Sequence, residues 1–371
     1  MKVAIITLTD GQNYGNRLQN YALQKTLTEL GAEVQTLNHY TYKDQKGIKR
    51  FKKISKDFIK LFLKSYKHKR LRVKRFKRFK KNYSFYSKIS LHDNYLILDL
   101  KDKYDYFVVG SDQVWNAGFR IVSDDILNYL LFFADNKQRI AYAASFGTEK
   151  IPTGYEKYFK NELPKFKAIS VRENSGKKIV AECGSTATVV LDPTLLVDAE
   201  HWKKIARKPT YVSDAPFVVT YFLGGRDAEL NEYISKIASD KIVYNLEIET
   251  AQINAIDSVE VFATAPDEFV WLISHAEIIL TDSFHATVFS ILFHKPFCVF
   301  ERKATYECYK MGSRLDTLLE MFHLEKYRDA QKSFSIIPET YETTEIDHIL
   351  NIEREKSISF LKNALSNQEL M

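Results

Sequence analysis

The segment ILTDSFHATVFSILFHKPF, residues 278–296, combines residue types that can carry acid–base chemistry with a pattern that positions them. Residues 276–282 form a short apolar run typical of a buried strand, and the run that follows has helical apolar spacing. Asp282 and Ser283, at the junction, are helix-capping residue types. His285 is therefore predicted in the first turn of a helix, beyond the carboxyl end of a strand, where open α/β sheets bind ligands. At that position an imidazole can donate or accept a proton near neutral pH.

The loop after the first predicted strand, DGQNYGNRLQ at residues 10–19, is suited to an anionic ligand. Gly11 and Gly15 permit close approach of a ligand, and the helix that follows offers unpaired N–H groups. The loop lacks the G-x-G-x-x-G pattern and its ribose-binding acid, which argues against a nicotinamide cofactor. A polar turn with Asn16 as helix cap explains the same residues, so Gly15 and Asn16 are binding candidates only alongside other clusters.

Polar residues also follow three more predicted strands. In VVGSDQVWN, Ser111 and Asp112 end a very apolar strand, and a helix cap explains them as well as a binding role does. The small residues of YAASFG, at 142–147, allow close approach of a backbone or ligand. In SVREN, Arg172 ends a strand, and its guanidinium fork suits a carboxylate or phosphate. Glu173 points to the opposite face of a strand from Arg172, which leaves its role open.

The sequence offers a structural explanation of His285 beside the catalytic one. A helix-start imidazole can simply hydrogen-bond a backbone carbonyl. The histidines at 275, 294 and 323 have no metal-ligand spacing to His285, so no zinc site is predicted. Ser283 lacks the G-x-S-x-G context of a hydrolase nucleophile, so we assign it to substrate binding. The position of His285 beyond a strand end, next to Asp282 and Ser283, favours a catalytic role.

The composition is that of a globular protein of 371 residues, 45% hydrophobic and 27% charged. This length accommodates two domains. The sequence contains no run of about 18 apolar residues, so no transmembrane helix is predicted. The N-terminal apolar segment is shorter than a signal peptide requires. The three cysteines show neither a pairing pattern nor metal spacing, which favours a reducing cytoplasm.

Strand-like and helix-like segments alternate along the chain in two series, separated by a linker at about 198–215. This alternation predicts α/β units with parallel sheets flanked by helices, and two series predict two Rossmann-like domains facing a cleft. We predict domains at 1–199 and 200–344, with a final helix in 345–371 that packs back on the first domain. The predicted strands of the second series are FVVTYFLG, KIVYNLE, VEVFAT, EIILTD and PFCVFER.

Residues 46–81, a basic helical insertion in the first domain, contain 18 Lys plus Arg and a single acid, Asp57. The segment carries +17 in a chain of net charge +7, so all other residues together carry −10. Apolar residues recur at spacings of three or four, which predicts an amphipathic helix or helix pair with a basic outer face. The stripe comprises Ile48, Phe51, Ile54, Phe58, Phe62, Tyr66, Val73, Phe76 and Phe79. A stripe that covers the first domain beneath solvated lysines is the structural alternative.

Seven segments in a consistent order resemble the polysaccharide pyruvyl transferase family: NYGNRLQNYALQ, VVGSDQVWN, YAASFG, SVREN, LDPTLLV, TDSFHATVFSILFHKPF and GSRLDTLLEMFHL. The resemblance extends from about Ile5 to Leu324. It implies a GT-B-like architecture and the transfer of pyruvyl from phosphoenolpyruvate to two hydroxyls of a sugar, forming a ketal. It also implies a catalytic acid or base at His285 and a donor-binding arginine at Arg172. The basic stretch is not part of the shared pattern.

The implied reaction needs a proton donor, a base for the hydroxyls, and cations for a carboxylate and a phosphate, but no redox cofactor or obligatory metal. We expect His285 and Glu173 to act on protons. The expected substrate-binding residues are Arg172, Ser283, Asn16, Gly15, Ser111 and Asp112. Because a helix N-terminus disfavours an imidazolium, we expect the bound trianionic donor, or Glu173, to stabilise the protonated form of His285 in the complex. Two alternatives stay open: a nucleotide-sugar glycosyltransferase on the same scaffold, and a scaffold protein that only binds polyanions through residues 46–81.

The expected acceptor is a glycan or a lipid-linked oligosaccharide in the assembly of a surface or capsular polysaccharide. We expect the protein to act on this acceptor in the cytoplasm. A lipid-linked acceptor would explain the basic segment, because cations near an anionic membrane contribute on the order of 1 kcal/mol each. The sequence thus predicts a peripheral contact with the inner membrane face, or with the acceptor, through Lys74, Arg75, Lys77, Arg78, Lys80 and Lys81. Nucleic acid is not expected, since no base-reading motif accompanies the charge.

Overall fold

The first half of the chain builds a seven-stranded parallel sheet. The computed structural model describes residues 1–9, 11–38, 67–90, 100–246, 256–302, 312–329, 331 and 333–366, without the side chains of 88–90 and 256–258. The strands are β1 (Lys2–Ile6), β2 (Glu33–Asn38), β3 (Tyr86–Ser90), β4 (Tyr106–Val109), β5 (Arg139–Ala144), β6 (Ala168–Val171) and β7 (Thr188–Val189). Their order is β3-β2-β1-β4-β5-β6-β7, and neighbouring strands pair in parallel.

The second half builds a five-stranded parallel sheet. Its strands are β8 (Phe217–Tyr221), β9 (Ile242–Asn245), β10 (Ile278–Thr281), β11 (Phe297–Phe300) and β12 (Arg328–Asp329). They lie in the order β12-β11-β10-β8-β9. Every residue of β4, β5, β8 and β11 is buried, as expected where helices cover both faces of a parallel sheet. The predicted α/β class with two parallel sheets is confirmed.

Fourteen α-helices occur in the described ranges. In the first half they are α1 (Tyr14–Glu29), α2 (Lys67–Tyr83), α3 (Arg120–Ser123), α4 (Ile126–Tyr129), α5 (Glu156–Glu162), α6 (Asn174–Glu182), α7 (Pro193–Leu196) and α8 (Ala199–Ile205). The others are α9 (Ala228–Ala238), α10 (Ile256–Phe262), α11 (Pro266–His275), α12 (Phe284–Leu292), α13 (Ser313–Met321) and α14 (Thr343–Leu365). Short 3-10 turns lie at Asn136–Gln138, Leu163–Lys165 and Glu325–Tyr327. No helix in these ranges is long and apolar enough to cross a membrane.

Two local predictions were wrong. The segment VEVFAT, predicted as a strand, supplies the end of helix α10, because a short apolar run does not distinguish strand from helix and tertiary contacts decide. Asn16 does not cap the first helix. The cap is Asn13, whose side chain accepts from the Asn16 backbone N–H at 3.2 Å, so the helix begins at Tyr14 and places Gly15 and Asn16 in its first turn.

Helix α2 packs between the two halves through one arginine and two phenylalanines. Phe76 and Phe79 are buried, as the apolar stripe predicts; the stripe residues from Ile48 to Tyr66 lie outside the described residues. Arg72 is also buried, and its guanidinium donates to the Tyr14 hydroxyl at 2.9 Å and to the Phe262 carbonyl. Planar guanidinium packing against aromatic rings suits an arginine better than a lysine.

The arginines of α2 continue along its inner face toward acidic residues of the second half. Arg75 contacts Glu260 at 2.5 Å, and Arg78 contacts Asp267 at 3.2 Å. Asp267 and Glu268 occupy the first turn of α11, where carboxylates also interact favourably with the helix dipole. The basic helix therefore binds an acidic surface of its own chain.

Helix α14 contacts the first sheet. Leu361, Ala364 and Leu365 are buried in one cluster with Val3 and Ile5 of β1. The domain boundaries at 199/200 and 344/345 remain predictions, but this cluster is consistent with a final helix that returns to the first half. The described chain thus has its two sheets linked by α1, α2 and α14, with the loops at their carboxyl edges brought together.

Candidate active site

His285 lies where the two halves of the chain meet. It is 6% exposed, in the first turn of α12, and Ser283 caps that helix by accepting from the Ala286 N–H. Gly15, in the first turn of α1, packs directly against the imidazole: a Cβ added there would overlap Nδ1 of His285. Among the described residues, His285 makes no hydrogen bond to a backbone carbonyl, and its buried Nε2 has no hydrogen-bond partner. The geometry therefore does not match the structural explanation of this histidine.

Arg172 forms the centre of a buried ionic network. One guanidinium nitrogen donates to Asp192 at 2.8 Å and the other donates to Asp112 at 3.0 Å. The Arg172 side chain is 1% exposed, and its guanidinium lies over the ring of Phe284 with Cζ 4.4 Å from the centroid. Its Nε is buried and has no partner. The fork that sequence reasoning assigned to a substrate anion is thus occupied by two carboxylates of the protein.

Asp192 connects this network to the histidine. Its Oδ2 lies 3.6 Å from His285 Nε2, close enough for an ion pair but longer than a hydrogen bond. Burial opposes ionisation of Asp192, yet His285 and then Arg172 hold the pKa of this carboxyl well below its usual range. A carboxylate at this position supplies the negative group needed to offset the helix N-terminus beside His285.

Ser111, Asp112 and Asn16 complete the network rather than facing open solvent. The Ser111 hydroxyl donates to Asp192 at 2.9 Å, and the Asn16 amide donates to Asp112 at 2.8 Å. Asp112 has a φ of 72°, a backbone conformation uncommon outside glycine. Burial opposes its ionisation, but Arg172 is the main group that lowers its pKa. Three of the sequence-predicted residues are therefore brought to Arg172, and they hold it in place.

Glu173 occupies a separate buried pocket on the other side of Arg172. Its Oε1 accepts from the Ser145 hydroxyl at 2.9 Å and from the N–H groups of Phe146 at 2.8 Å and Gly147 at 3.2 Å. Its Oε2 is buried without a partner. Burial raises the pKa of Glu173 although Arg172 and Arg314 act in the opposite direction. This carboxyl can therefore carry a proton on Oε2 while Oε1 stays fixed.

Three residues of the site were missed by sequence reasoning. Asp192 lies in the LDPTLLV segment, one of the seven that resemble the family, but no role was predicted for its carboxylate. Arg302 follows β11 and contacts Asp282, with 3.6 Å between Nε and Oδ2. Arg314 is 5% exposed in the first turn of α13. The signal for both arginines was their position after a strand or at a helix start in the second half.

The assembled groups can move protons and neutralise anions. His285 and Glu173 are buried titratable groups, while Arg302 and Arg314 add positive charge beside them. No cluster of three or more histidine, cysteine or acidic residues that could hold a metal ion occurs in the described part of the chain. The proposed membrane contacts lie elsewhere, on α2, where Lys74, Lys77 and Lys81 are exposed and Lys80 lies 3.5 Å from the Tyr86 ring centroid.

Comparison with protein-family models matches residues 13–303 to the family described as polysaccharide pyruvyl transferase. The chain belongs to the polysaccharide pyruvyl transferase family. The match includes Arg172, Asp192 and His285, and it ends before Arg314. Family membership makes this chain a pyruvyl transferase of polysaccharide biosynthesis. Comparison with curated proteins found no match.

Solved structures with the same architecture are distant in sequence from this pyruvyl transferase family member. UDP-GlcNAc 2-epimerase from Neisseria meningitidis bound to UDP-GlcNAc is 10% identical, covers 100% of this chain and 95% of its own, and has a TM-score of 0.50. An S. aureus MnaA-UDP co-structure is 10% identical with coverages of 97% and 90% and a TM-score of 0.49. A glycosyltransferase from Rickettsia africae is 12% identical with coverages of 99% and 100% and a TM-score of 0.47. The first of these shows that the fold of this chain is GT-B-like.

The contact between Gly15 and His285 predicts a double-mutant cycle in this transferase. Alanine is favoured over glycine in a helix by about 1 kcal/mol. The overlap with the imidazole should instead make Gly15→Ala destabilising by roughly 1–3 kcal/mol. In a His285→Ala background the same Gly15→Ala change should be neutral or stabilising, because the clashing ring is gone. Urea unfolding of the four proteins measures the coupling, and equal effects of Gly15→Ala in both backgrounds would contradict the contact.

The raised pKa of Glu173 predicts how stability depends on pH. A carboxyl whose pKa is higher in the folded state binds its proton more tightly there than in the unfolded state. Its contribution to the free energy of unfolding is therefore fully present below the unfolded pKa of about 4.3, and it is lost as the pH rises through the folded pKa. Glu173→Gln keeps the acceptor that Ser145, Phe146 and Gly147 use but cannot ionise. Its stability relative to wild type should increase from pH 4 to pH 7, measured by thermal unfolding. Glu182→Gln, an exposed change on the same helix, should show no such trend; a flat difference for Glu173→Gln would refute the assignment.

Proposed function

We propose that this chain transfers the pyruvyl group of phosphoenolpyruvate to two hydroxyls of one sugar in a surface or capsular polysaccharide intermediate. The product is a cyclic ketal and inorganic phosphate. Family membership supports the pyruvyl transferase activity. The observation that best supports the chemistry is His285, buried at the meeting point of the two halves with Asp192 3.6 Å from its Nε2.

The proposed reaction has a fixed set of chemical requirements. A proton is added to the methylene carbon of phosphoenolpyruvate, which becomes the methyl group and leaves an oxocarbenium-like centre at C2. One sugar hydroxyl forms a C–O bond to C2 and loses its proton. The C–O bond to phosphate breaks, and the second hydroxyl closes the ketal and loses its proton. One proton donor, a base and cations near the departing phosphate are therefore required, and no electrons are exchanged.

In this proposal His285 transfers a proton between the site and the reacting atoms. Asp192, with its Oδ2 3.6 Å from His285 Nε2, places a negative charge beside the imidazole at the helix N-terminus. Glu173 is a second proton-carrying group, since burial favours its neutral form. Asp112 holds Arg172 in one orientation, and Ser111 and Asn16 hold the two carboxylates that Arg172 contacts, so that these residues organise the site without touching the substrate. Ser283 and Gly15 act in the same way on His285, one by starting its helix and the other by leaving space for its ring.

The proposed donor use can be tested together with the role of His285. Purified protein is given labelled phosphoenolpyruvate and, separately, labelled UDP-sugars, with glycan acceptors from envelope polysaccharide preparations. Label from phosphoenolpyruvate should enter the acceptor with release of phosphate, and His285→Ala should lower this turnover by about 10²- to 10⁴-fold without unfolding the protein. His294→Ala is the matched control, because His294 is a partly exposed histidine paired with Asp347 on the surface.

Two results of this experiment would change the proposal. Incorporation from a UDP-sugar but not from phosphoenolpyruvate would identify a nucleotide-sugar glycosyltransferase. Turnover by His285→Ala within a few-fold of wild type would remove the histidine from proton transfer while leaving the donor assignment intact.

We also propose that the outer face of α2 lies on an anionic membrane surface when the acceptor is lipid-linked. Lys67, Arg70, Lys74, Lys77 and Lys81 are exposed and follow a spacing of three and four, so they form one stripe along the helix. Arg75 and Arg78, on the inner face, bind acidic residues of the second half instead. Of the six cations that the sequence predicts to contact the membrane, Lys74, Lys77 and Lys81 therefore lie on the outer face and Arg75 and Arg78 on the inner face, while Lys80 packs on the Tyr86 ring.

Replacing only the outer lysines gives a clean test. The triple change Lys74→Gln, Lys77→Gln and Lys81→Gln should weaken binding to anionic liposomes at low salt by roughly fivefold per lysine, since each cation contributes about 1 kcal/mol. High salt should release the wild-type protein, and neutral liposomes should not bind it. The control removes three exposed lysines elsewhere, Lys160, Lys178 and Lys236, and should bind like wild type. Sedimentation with vesicles measures both; equal binding to neutral and anionic vesicles would contradict a membrane role.

A further inference from the structure

The second half of the chain contains a buried guanidinium that pairs with no other described residue. Arg314 is 5% exposed, and no hydrogen bond or ion pair joins it to another described residue. Its Nε is buried without a partner. Other buried arginines of the described chain differ: Arg172 has two aspartates, and Arg72 has a hydroxyl and backbone carbonyls.

The position of Arg314 is fixed by contacts between the two halves. The first turn of α13 packs on the start of α6: the Asn174 N–H donates to the Thr317 hydroxyl at 3.1 Å, and the Ser175 and Ser313 hydroxyls are 3.1 Å apart. These contacts bring Arg314 to the ring of Phe284, with its Cζ 5.9 Å from the centroid. Arg172 lies 4.4 Å from the centroid of the same ring.

Phe284 is the residue next to His285, so Arg314 lies beside the proposed reaction centre. Burial and then repulsion by Arg172 and Arg302 lower the pKa of the Arg314 guanidinium to about 9, although Glu173 and Asp112 attract its charge. A buried cation without a hydrogen-bonding partner is costly, because it gives up water and gains no hydrogen bonds in return. Buried polar groups that lack a protein partner are exceptions that call for a ligand or another specific cause.

We propose that Arg314 is a donor-binding residue whose guanidinium fork takes an oxyanion of phosphoenolpyruvate, its phosphate or its carboxylate. This inference rests on the proposed function. It assigns the direct anion contact to Arg314 and leaves Arg172, whose fork is already filled by Asp112 and Asp192, to organise the site. A planar fork suits either oxyanion through two parallel hydrogen bonds. The donor would thus be held from the second half of the chain, on the side of His285.

The substitution Arg314→Met separates ligand binding from structure. If Arg314 serves the ligand, removing an unpaired buried charge should leave the unliganded protein equally stable or more stable. Phosphoenolpyruvate should then bind roughly 10- to 100-fold more weakly, from the loss of charge-assisted hydrogen bonds. Arg314→Lys should recover only part of the affinity, because an ammonium lacks the fork. Calorimetric titration and thermal unfolding, with phosphoenolpyruvate, pyruvate and inorganic phosphate as separate probes, measure these effects and tell the phosphate from the carboxylate.

Arg328→Met is the matched control. The side chain of Arg328 is only 7% exposed, but it is paired with Glu301 and Asp316. Its replacement should lower stability and leave the affinity for phosphoenolpyruvate unchanged. An Arg314→Met protein that behaves like Arg328→Met, destabilised and with normal affinity, would overturn the inference.

The same titrations distinguish failure of the inference from failure of the proposed function. If Arg314→Met binds phosphoenolpyruvate as tightly as the wild-type protein does, the proposed function stands and the role of Arg314 is overturned. Wild-type protein that does not bind phosphoenolpyruvate contradicts the proposed function. Inorganic phosphate and pyruvate then decide the anion site: weaker binding of either probe by Arg314→Met supports it, and equal binding of both probes, or no binding of either probe by wild type, overturns it.

Discussion

The burial of Arg172 between two carboxylates is the interaction on which the site depends. A guanidinium removed from water requires charged or hydrogen-bonding partners, and here Asp112 and Asp192 come from the ends of different strands of one parallel sheet. The parallel order is what makes this possible, since all strands present their carboxyl ends at the same edge. Asp192 then extends the network to His285 of the other half. One buried charge thus fixes the relative positions of three loops and the first turn of α12.

Helix α2 shows how arginine and lysine are used differently within a single basic segment. Arg72, Arg75 and Arg78 point inward, where Arg72 combines hydrogen bonds with ring contacts and the other two reach carboxylates of α10 and α11. The outer face carries mainly lysines, namely Lys67, Lys74, Lys77 and Lys81, which are exposed there as strongly hydrated charges. The excess of positive charge in the first half and the acidic remainder of the chain are therefore partly complementary. The inner face of α2, although it belongs to the basic segment, is therefore part of the contact between the two halves.

The sequence predicted the parts of the fold that local patterns specify. The βαβ alternation and the capped helix at His285 are patterns within about twenty residues, so they were recognisable. The helical structure of VEVFAT was not recognisable, because Glu260 and Phe262 make their contacts with α2, which is far away in the chain. At the site, Arg172 was found as a residue, but its partners Asp112 and Asp192 were not paired with it, since a pairing across strands leaves no local pattern. Arg314 was missed for the same reason: only the three-dimensional structure shows that its buried guanidinium has no partner among the described residues.

The docking of α2 also affects the order in which the protein is made. Arg72 and the carbonyl that it binds at Phe262 are separated by 190 residues. At translation rates of 5–20 residues per second, the ribosome needs about 10–40 s to synthesise that interval. During this time Arg72, Phe76 and Phe79 have left the ribosome without the second-half surface that covers them. The nascent first sheet therefore presents an aromatic, basic surface to chaperones until α10 and α11 emerge.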